Sequence, residues 1–225
     1  MKILLTCSLC CLVFLLPEAE GQARKSIGIT AGANLSRIHA ANPQIRLPDG
    51  STVDINEDFD WLAGAQIGFT ATPLVWGERF SLNTGLSYIQ RGATTLFIDP
   101  TTPEKQEGQM RLQYLSVPVL ARFYALPMLF LEAGPQAAYL LDAHSSIKGE
   151  TERFDLKRTI DNDLDLGLLA GLGIFLHPRL SISAQYYHGL SDLASFQFTD
   201  ANGEPVGDSI WRNRSLQLNI AVNIR

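Results

Sequence analysis

Cysteine is confined to the first eleven residues, at Cys7, Cys10 and Cys11, so the rest of the chain has neither a disulfide framework nor thiolate chemistry. Basic charge is scarce as well. With 18 Lys+Arg against 23 Asp+Glu the net charge is −5, and there is no basic patch of the kind a nucleic-acid surface needs. After the N-terminal segment no apolar run is long enough for a membrane-spanning helix. Gly-rich phosphate loops and metal-ligand spacings are also missing, which leaves no cofactor, no metal and no catalytic set to expect.

The N-terminal segment reads as a secretory signal. Lys2 gives a short positive start, Ile3 to Leu16 an apolar run of 14 residues, and Pro17 a break before small residues. Cleavage is expected after Gly21, or after Ala23, leaving residues 22–225 as one domain without cysteine. Removing Lys2, Glu18 and Glu20 leaves 17 basic and 21 acidic residues, a net charge of −4.

What the chain does have is alternation. In the last ten residues Leu216, Leu218, Ile220, Val222 and Ile224 occupy every second position, with Gln217, Asn219, Ala221 and Asn223 between them. On a strand this makes one face aliphatic and the other mostly amide. The pattern recurs near Ser26–Ser36, Trp61–Thr72, Phe80–Arg91, Gln109–Tyr124, Leu131–Leu141, Leu164–Leu176 and Leu180–Tyr187, with glycine, serine or glutamine on the second face. Leu112 and Tyr114 have the opposite parity to Leu115 and Val117, which predicts a bulge near Tyr114.

A period of two excludes helices. Eight strands joined alternately by polar segments of 17 to 24 residues and turns of 3 to 7 predict an all-β, eight-stranded antiparallel up-and-down transmembrane barrel. Its long loops are expected outside the cell, its short turns and both termini in the periplasm. The aliphatic face would then meet lipid. Tyr88, Tyr139, Tyr186 and Trp61 fall at one expected rim, Phe80 and Phe123 at the other, as two interface girdles would.

Arg122 and Glu132 both take the inner face, five residues either side of Pro127 in a tight turn. A hairpin centred there puts them opposite each other as a structural, buried ion pair. With eight strands, side chains fill the lumen and leave no diffusion pore. Asp161-Asn162-Asp163-Leu164-Asp165 resembles the start of a calcium loop but has Leu166 and Leu172 where that loop needs Gly and Glu. Those acids are expected to mark where a strand leaves solvent. A lipid deacylase would need a Ser two residues from His188 on the lipid face, and Leu190 stands there. His188 is expected at the interface, and the chain reads as non-enzymatic.

Six stretches stand out along the chain: Gly32-Ala33-Asn34-Leu35-Ser36, Leu86-Ser87-Tyr88-Ile89-Gln90-Arg91-Gly92, Tyr114-Leu115-Ser116-Val117-Pro118, Glu132-Ala133-Gly134-Pro135, Gly171-Leu172-Gly173 and Tyr187-His188-Gly189-Leu190. Together they resemble the PorT-like outer-membrane β-barrel family of Bacteroidetes. The resemblance implies the outer membrane of a Gram-negative bacterium, with membrane lipid and the barrel-assembly machinery as partners. It also implies an accessory role in protein secretion or envelope assembly. The chain departs from such barrels by ending on Arg225, where they carry an aromatic residue. From the residues alone, the function expected is a structural or interaction role at the cell envelope through the extracellular loops.

Overall fold

The computed structural model describes residues 23–41, 44–46, 51–54, 59–98, 105–147, 153–199 and 205–224. The expected signal segment and Arg225 lie outside the described residues. Within them, eight long strands carry the architecture: β1 (Ser26–Ala41), β2 (Leu62–Trp76), β3 (Phe80–Ile98), β4 (Lys105–Tyr124), β5 (Leu129–Ile147), β6 (Leu164–His177), β7 (Leu180–Gly189) and β8 (Pro205–Asn223). Each pairs antiparallel with its sequence neighbours, and β1 pairs with β8 from Gly28↔Asn223 to Ala41↔Ile210, closing an all-β barrel without a free edge. Tight turns join the strands at one end, one of them through Gly77, whose φ of +63° suits glycine.

The alternation sets the orientation of the wall. Ile27, Ile67, Phe69, Leu86, Leu168, Leu172, Leu218 and Ile220 point outward and are exposed, while Asn34, Gln66, Ser116, Glu132, Gln136, Gln217 and Asn219 are buried inside. An aliphatic exterior around a hydrophilic interior is what hydrocarbon solvent selects.

At the loop end the structure departs from expectation. Much of what reads as long loops is strand. β1 continues past Ser36 to Ala41, β3 past Arg91 to Ile98, β5 past Leu141 to Ile147, and β8 begins at Pro205. Short strands Phe59–Asp60, Arg153–Asp155 and Ala194–Thr199 are added against β3, β5 and β8. These extensions were illegible as strands because their polarity inverts. On β1 the outward row changes from Ile29 and Leu35 to Arg37 and His39, while the inward row changes from Ser36 to buried Ile38. On β4 the outward row passes from Val117 and Leu115 to Gln113 and Arg111, and the inward row from Ser116 to Tyr114, Leu112 and Met110.

The expected bulge is present between Gln113 and Tyr114, but the inversion changes its reason and its strand. β4 keeps one parity from Met110 to Tyr124, so Leu112 and Tyr114 belong inside the barrel. The irregularity lies on the partner strand: Gln113 pairs with Asp142 and Tyr114 with Leu140, leaving Leu141 as the extra residue of β5.

Candidate functional site

The lumen is filled in layers. At the turn end Tyr124, Phe130 and Phe175 form an aromatic floor, Phe130 and Phe175 with centroids 5.2 Å apart. Gly173 is what admits the Phe130 ring, since a Cβ there would lie 2.2 Å from its Cζ.

Above the floor runs a polar relay. Arg122 and Glu132 are paired directly across β4 and β5. The Arg122 Nη2 donates to Glu132 Oε2 at 2.8 Å and its Nε at 3.0 Å. Gln185 Nε2 donates to the other carboxylate oxygen at 2.6 Å, Asn219 Nδ2 donates to Gln185 Oε1 at 2.8 Å, and Gln66 Nε2 donates to Asn219 Oδ1. The relay thus links side chains of β4, β5, β7, β8 and β2 around a polar cavity of about 70 Å³. Leu120 and Leu169 also line it, packed in one cluster with Tyr187.

The next layer holds a second ion pair, which sequence reasoning missed. Arg91 of β3 reaches across the lumen to Asp165 of β6, Nη1 to Oδ2 2.9 Å, with the Arg91 side chain 0% exposed. Tyr187 donates its hydroxyl to Asp165 Oδ1 at 2.9 Å, Asn213 Nδ2 donates to Oδ2 at 2.9 Å, and the Ser191 hydroxyl donates to Oδ1 at 3.2 Å. The Arg91 guanidinium lies 3.7 Å over the Tyr187 ring. A buried charge needs both a counter-charge and hydrogen bonds, and this carboxylate has both. The legible signal was that alternation puts Arg91 and Asp165 on inner faces with opposite charge.

Above this layer the filling turns apolar. Ile38, Ile89, Ala93, Met110, Leu112, Tyr114, Leu140 and Leu193 belong to the largest buried cluster among the described residues, extended by Phe59, Leu156, Ile160 and Trp211.

Asp165 therefore points into the barrel rather than marking a solvent exit. The rest of its run diverges: Asp161 accepts from Ser195, Asn162 accepts from the Leu164 amide, and Asp163 accepts from the Tyr139 hydroxyl. His188 faces outward, and the Ser191 oxygen accepts from the Leu166 amide while its hydroxyl turns to Asp165, so the two are not brought together. His144 faces Asp142 at 2.9 Å.

On the outer wall stand all six aromatics singled out in the sequence. Phe80 and Phe123 pair across strands at the turn end, centroids 5.0 Å apart. Trp61, Tyr88, Tyr139 and Tyr186 stand toward the loop end, where the Tyr88 hydroxyl donates to Gln113 at 2.7 Å. Trp76 joins the turn-end ring as an exposed residue missed in the sequence. His39 lies above the aliphatic belt. Partial burial, with Arg214, Arg37, His188 and Arg212 nearby, holds its imidazole below the usual 6.5.

Solved outer-membrane barrels are similar to this chain. Ail, the attachment invasion locus protein of Yersinia pestis, in complex with the heparin analogue sucrose octasulfate, is 15% identical at a TM-score of 0.47, covering 89% of this chain and 99% of that one. OprG from Pseudomonas aeruginosa is 12% identical at a TM-score of 0.47, covering 92% and 99%. Neisserial surface protein A is 12% identical at a TM-score of 0.46, covering 87% and 97%. No curated protein sequence matches the chain. The sequence model for the outer membrane protein beta-barrel domain matches residues 19–195, most of the chain, and the protein belongs to that family.

Proposed function

We propose that this outer-membrane barrel is sealed and non-enzymatic, and that it acts at the cell surface through the projection at its loop end, with both termini in the periplasm. The observation that carries the reading is the polarity inversion. Past the aliphatic belt the strands continue as a water-facing barrel with an apolar core, built from Ile38, Leu112, Leu140 and Trp211. A stiff platform of this kind, with the short strands Phe59–Asp60, Arg153–Asp155 and Ala194–Thr199 added at its loop end, presents that end to whatever lies outside. The lumen supports the sealed, non-catalytic part, because its two buried carboxylates are already engaged: Glu132 by Arg122 and Gln185, Asp165 by Arg91, Tyr187 and Asn213.

Reconstitution in planar bilayers tests the seal, with no stable single-channel conductance expected; a persistent open pore overturns it. An epitope inserted at residues 200–204 should be accessible to antibody on intact cells, and an epitope reached only after permeabilisation reverses the orientation.

The second reading is an accessory of protein secretion. It is favoured by the PorT-like stretches, among them Leu86-Ser87-Tyr88-Ile89-Gln90-Arg91-Gly92, which places Arg91 of the buried pair. Deleting the gene and comparing secreted with cell-retained protein separates the two, and unchanged secretion removes the accessory role.

A further inference from the structure

At the loop end of the outer wall, three neighbouring strands bring cations into one row. His188 of β7, Arg214 of β8 and Arg37 of β1 are in register across both ladders, and one pleat further out Arg212 and His39 face each other. The Arg37 guanidinium lies 5.0 Å from the Trp61 ring centre. Arg212 is neutralised by Asp192, Nε to Oδ1 2.8 Å, and Asp60 and Glu107 line a cleft on the other side of Arg37. Among the described residues neither Arg37 nor Arg214 has an ion-pair partner, and the Nε of each is buried without a hydrogen bond. Like charges directly opposite on paired strands repel, and an anion between them would relieve that repulsion.

One pleat toward the membrane the wall changes character. Tyr186, Leu216 and Leu35 form the next row, and the small side chains of Ala184, Ala33, Ala63 and Ala170 leave an apolar hollow of about 540 Å³ beside them. Successive outward residues on a strand are about 7 Å apart, so a hydrocarbon chain in the hollow sits directly under the guanidiniums.

Resting on the outward orientation of the loop end, we propose that this wall binds one phosphate-bearing lipid of the outer leaflet. Arg37 and Arg214 hold the phosphate, with His188 and His39 beside it, and an acyl chain lies in the alanine-floored hollow. Guanidiniums match phosphate geometry with two parallel hydrogen bonds, and the surrounding headgroup region screens them less than bulk water does.

The test titrates the purified full barrel in zwitterionic detergent with bisphosphorylated lipid A, with its dephosphorylated form and with inorganic phosphate, read by native mass spectrometry. One lipid A per barrel is expected, bound about tenfold or more tightly than the dephosphorylated form, and not displaced by equimolar phosphate. R37Q/R214Q should lose about tenfold or more in affinity. Ala33→Phe, which fills the hollow and leaves every charge in place, should also weaken binding, and Arg179→Gln at the turn end should not. Heat-modifiable gel mobility confirms that each variant is folded, and if the double variant is not, R214Q alone carries the same expectation.

Equal affinity for the two lipids, or full binding by R37Q/R214Q, overturns the site. Heparin bound with an affinity that R37Q/R214Q loses and Ala33→Phe keeps would assign the row to a polyanion instead. Phosphate-dependent binding in a protein whose 200–204 epitope is shielded on intact cells sinks the orientation and moves the site to the other leaflet. An accessible epitope without such binding sinks this site alone.

Discussion

Two fillings sit one above the other in the same barrel. In the membrane section, Arg122, Glu132, Gln185, Asn219 and Gln66 make a hydrogen-bonded relay, capped by Arg91 and Asp165. In the section beyond the belt, Leu112, Leu140, Ile38 and Leu193 pack as in the centre of a water-soluble protein. The difference lies in what wets the outer wall. Against lipid an aliphatic side chain gains nothing by turning inward, so the lumen is left to polar groups, many of which bond to one another. Against water the hydrophobic effect operates, and the enclosed face is the only dry place for Leu112 and Ile38. Stability should therefore come from charge and hydrogen bonding in one section and from apolar burial in the other.

Breaking the membrane section at its charge pair should have the largest effect. Asp165→Ala leaves Arg91 fully buried without its carboxylate and strips a partner from Tyr187 and Asn213. The expected loss is about 3–5 kcal/mol in urea unfolding from lipid vesicles. The double variant R91M/D165L should recover most of it, because a removed pair costs far less than a broken one. Glu132→Ala should cost less than Asp165→Ala, since the Arg122 side chain keeps 11% of its exposure and water can reach it. Equal costs for the two acids would deny that depth in the lumen matters.

In the outer section, Leu112→Ala and Leu140→Ala, both 0% exposed, should each lose about 2–5 kcal/mol in the same assay. Ser116→Ala, just below on the same inward row, gives up a 3.2 Å bond to the Ser87 carbonyl and should cost about 1 kcal/mol. Comparable losses would mean that the two fillings do not differ in kind. The boundary itself can be located from outside. Leu218→Arg, in the belt, should cost about 2–4 kcal/mol, whereas Gln109→Arg, on the extended part of β4, should cost about 0–1 kcal/mol.

The same contrast explains what could be read from the chain. The membrane section was legible because its period-two pattern has a fixed sign, aliphatic outward. Leu216 to Ile224 shows this without any partner. Above the belt the period persists but the sign flips, so Arg37 and His39 look like the start of a loop, and Leu112 looks out of register with Leu115. The ion pairs divide along another line. Arg122 and Glu132 flank one tight turn, and local spacing suffices to oppose them. Arg91 and Asp165 stand three strands apart in the sheet order, so their meeting depends on the curvature and closure of the whole barrel. Alternation places each on the inner face and says nothing about the other.

The smallest expected effect concerns the rim where the two sections meet. Burial, together with Arg214, Arg37, His188 and Arg212, disfavours the protonated form of His39, so its folded pKa lies below the unfolded 6.5. As pH falls through that value the unfolded chain takes up the proton first. The stabilisation is therefore complete above the unfolded value and declines as pH falls, levelling off once the folded imidazole is protonated too. His39→Gln should flatten the dependence of the unfolding midpoint on pH between about pH 7 and pH 5. An anion seated on Arg37 and Arg214 would offset their part of the depression of His39 and leave the larger part due to burial, so bound lipid A should make the same slope shallower in the unaltered protein without abolishing it. An identical slope in His39→Gln would place the acid sensitivity elsewhere and leave the cationic row without this reporter.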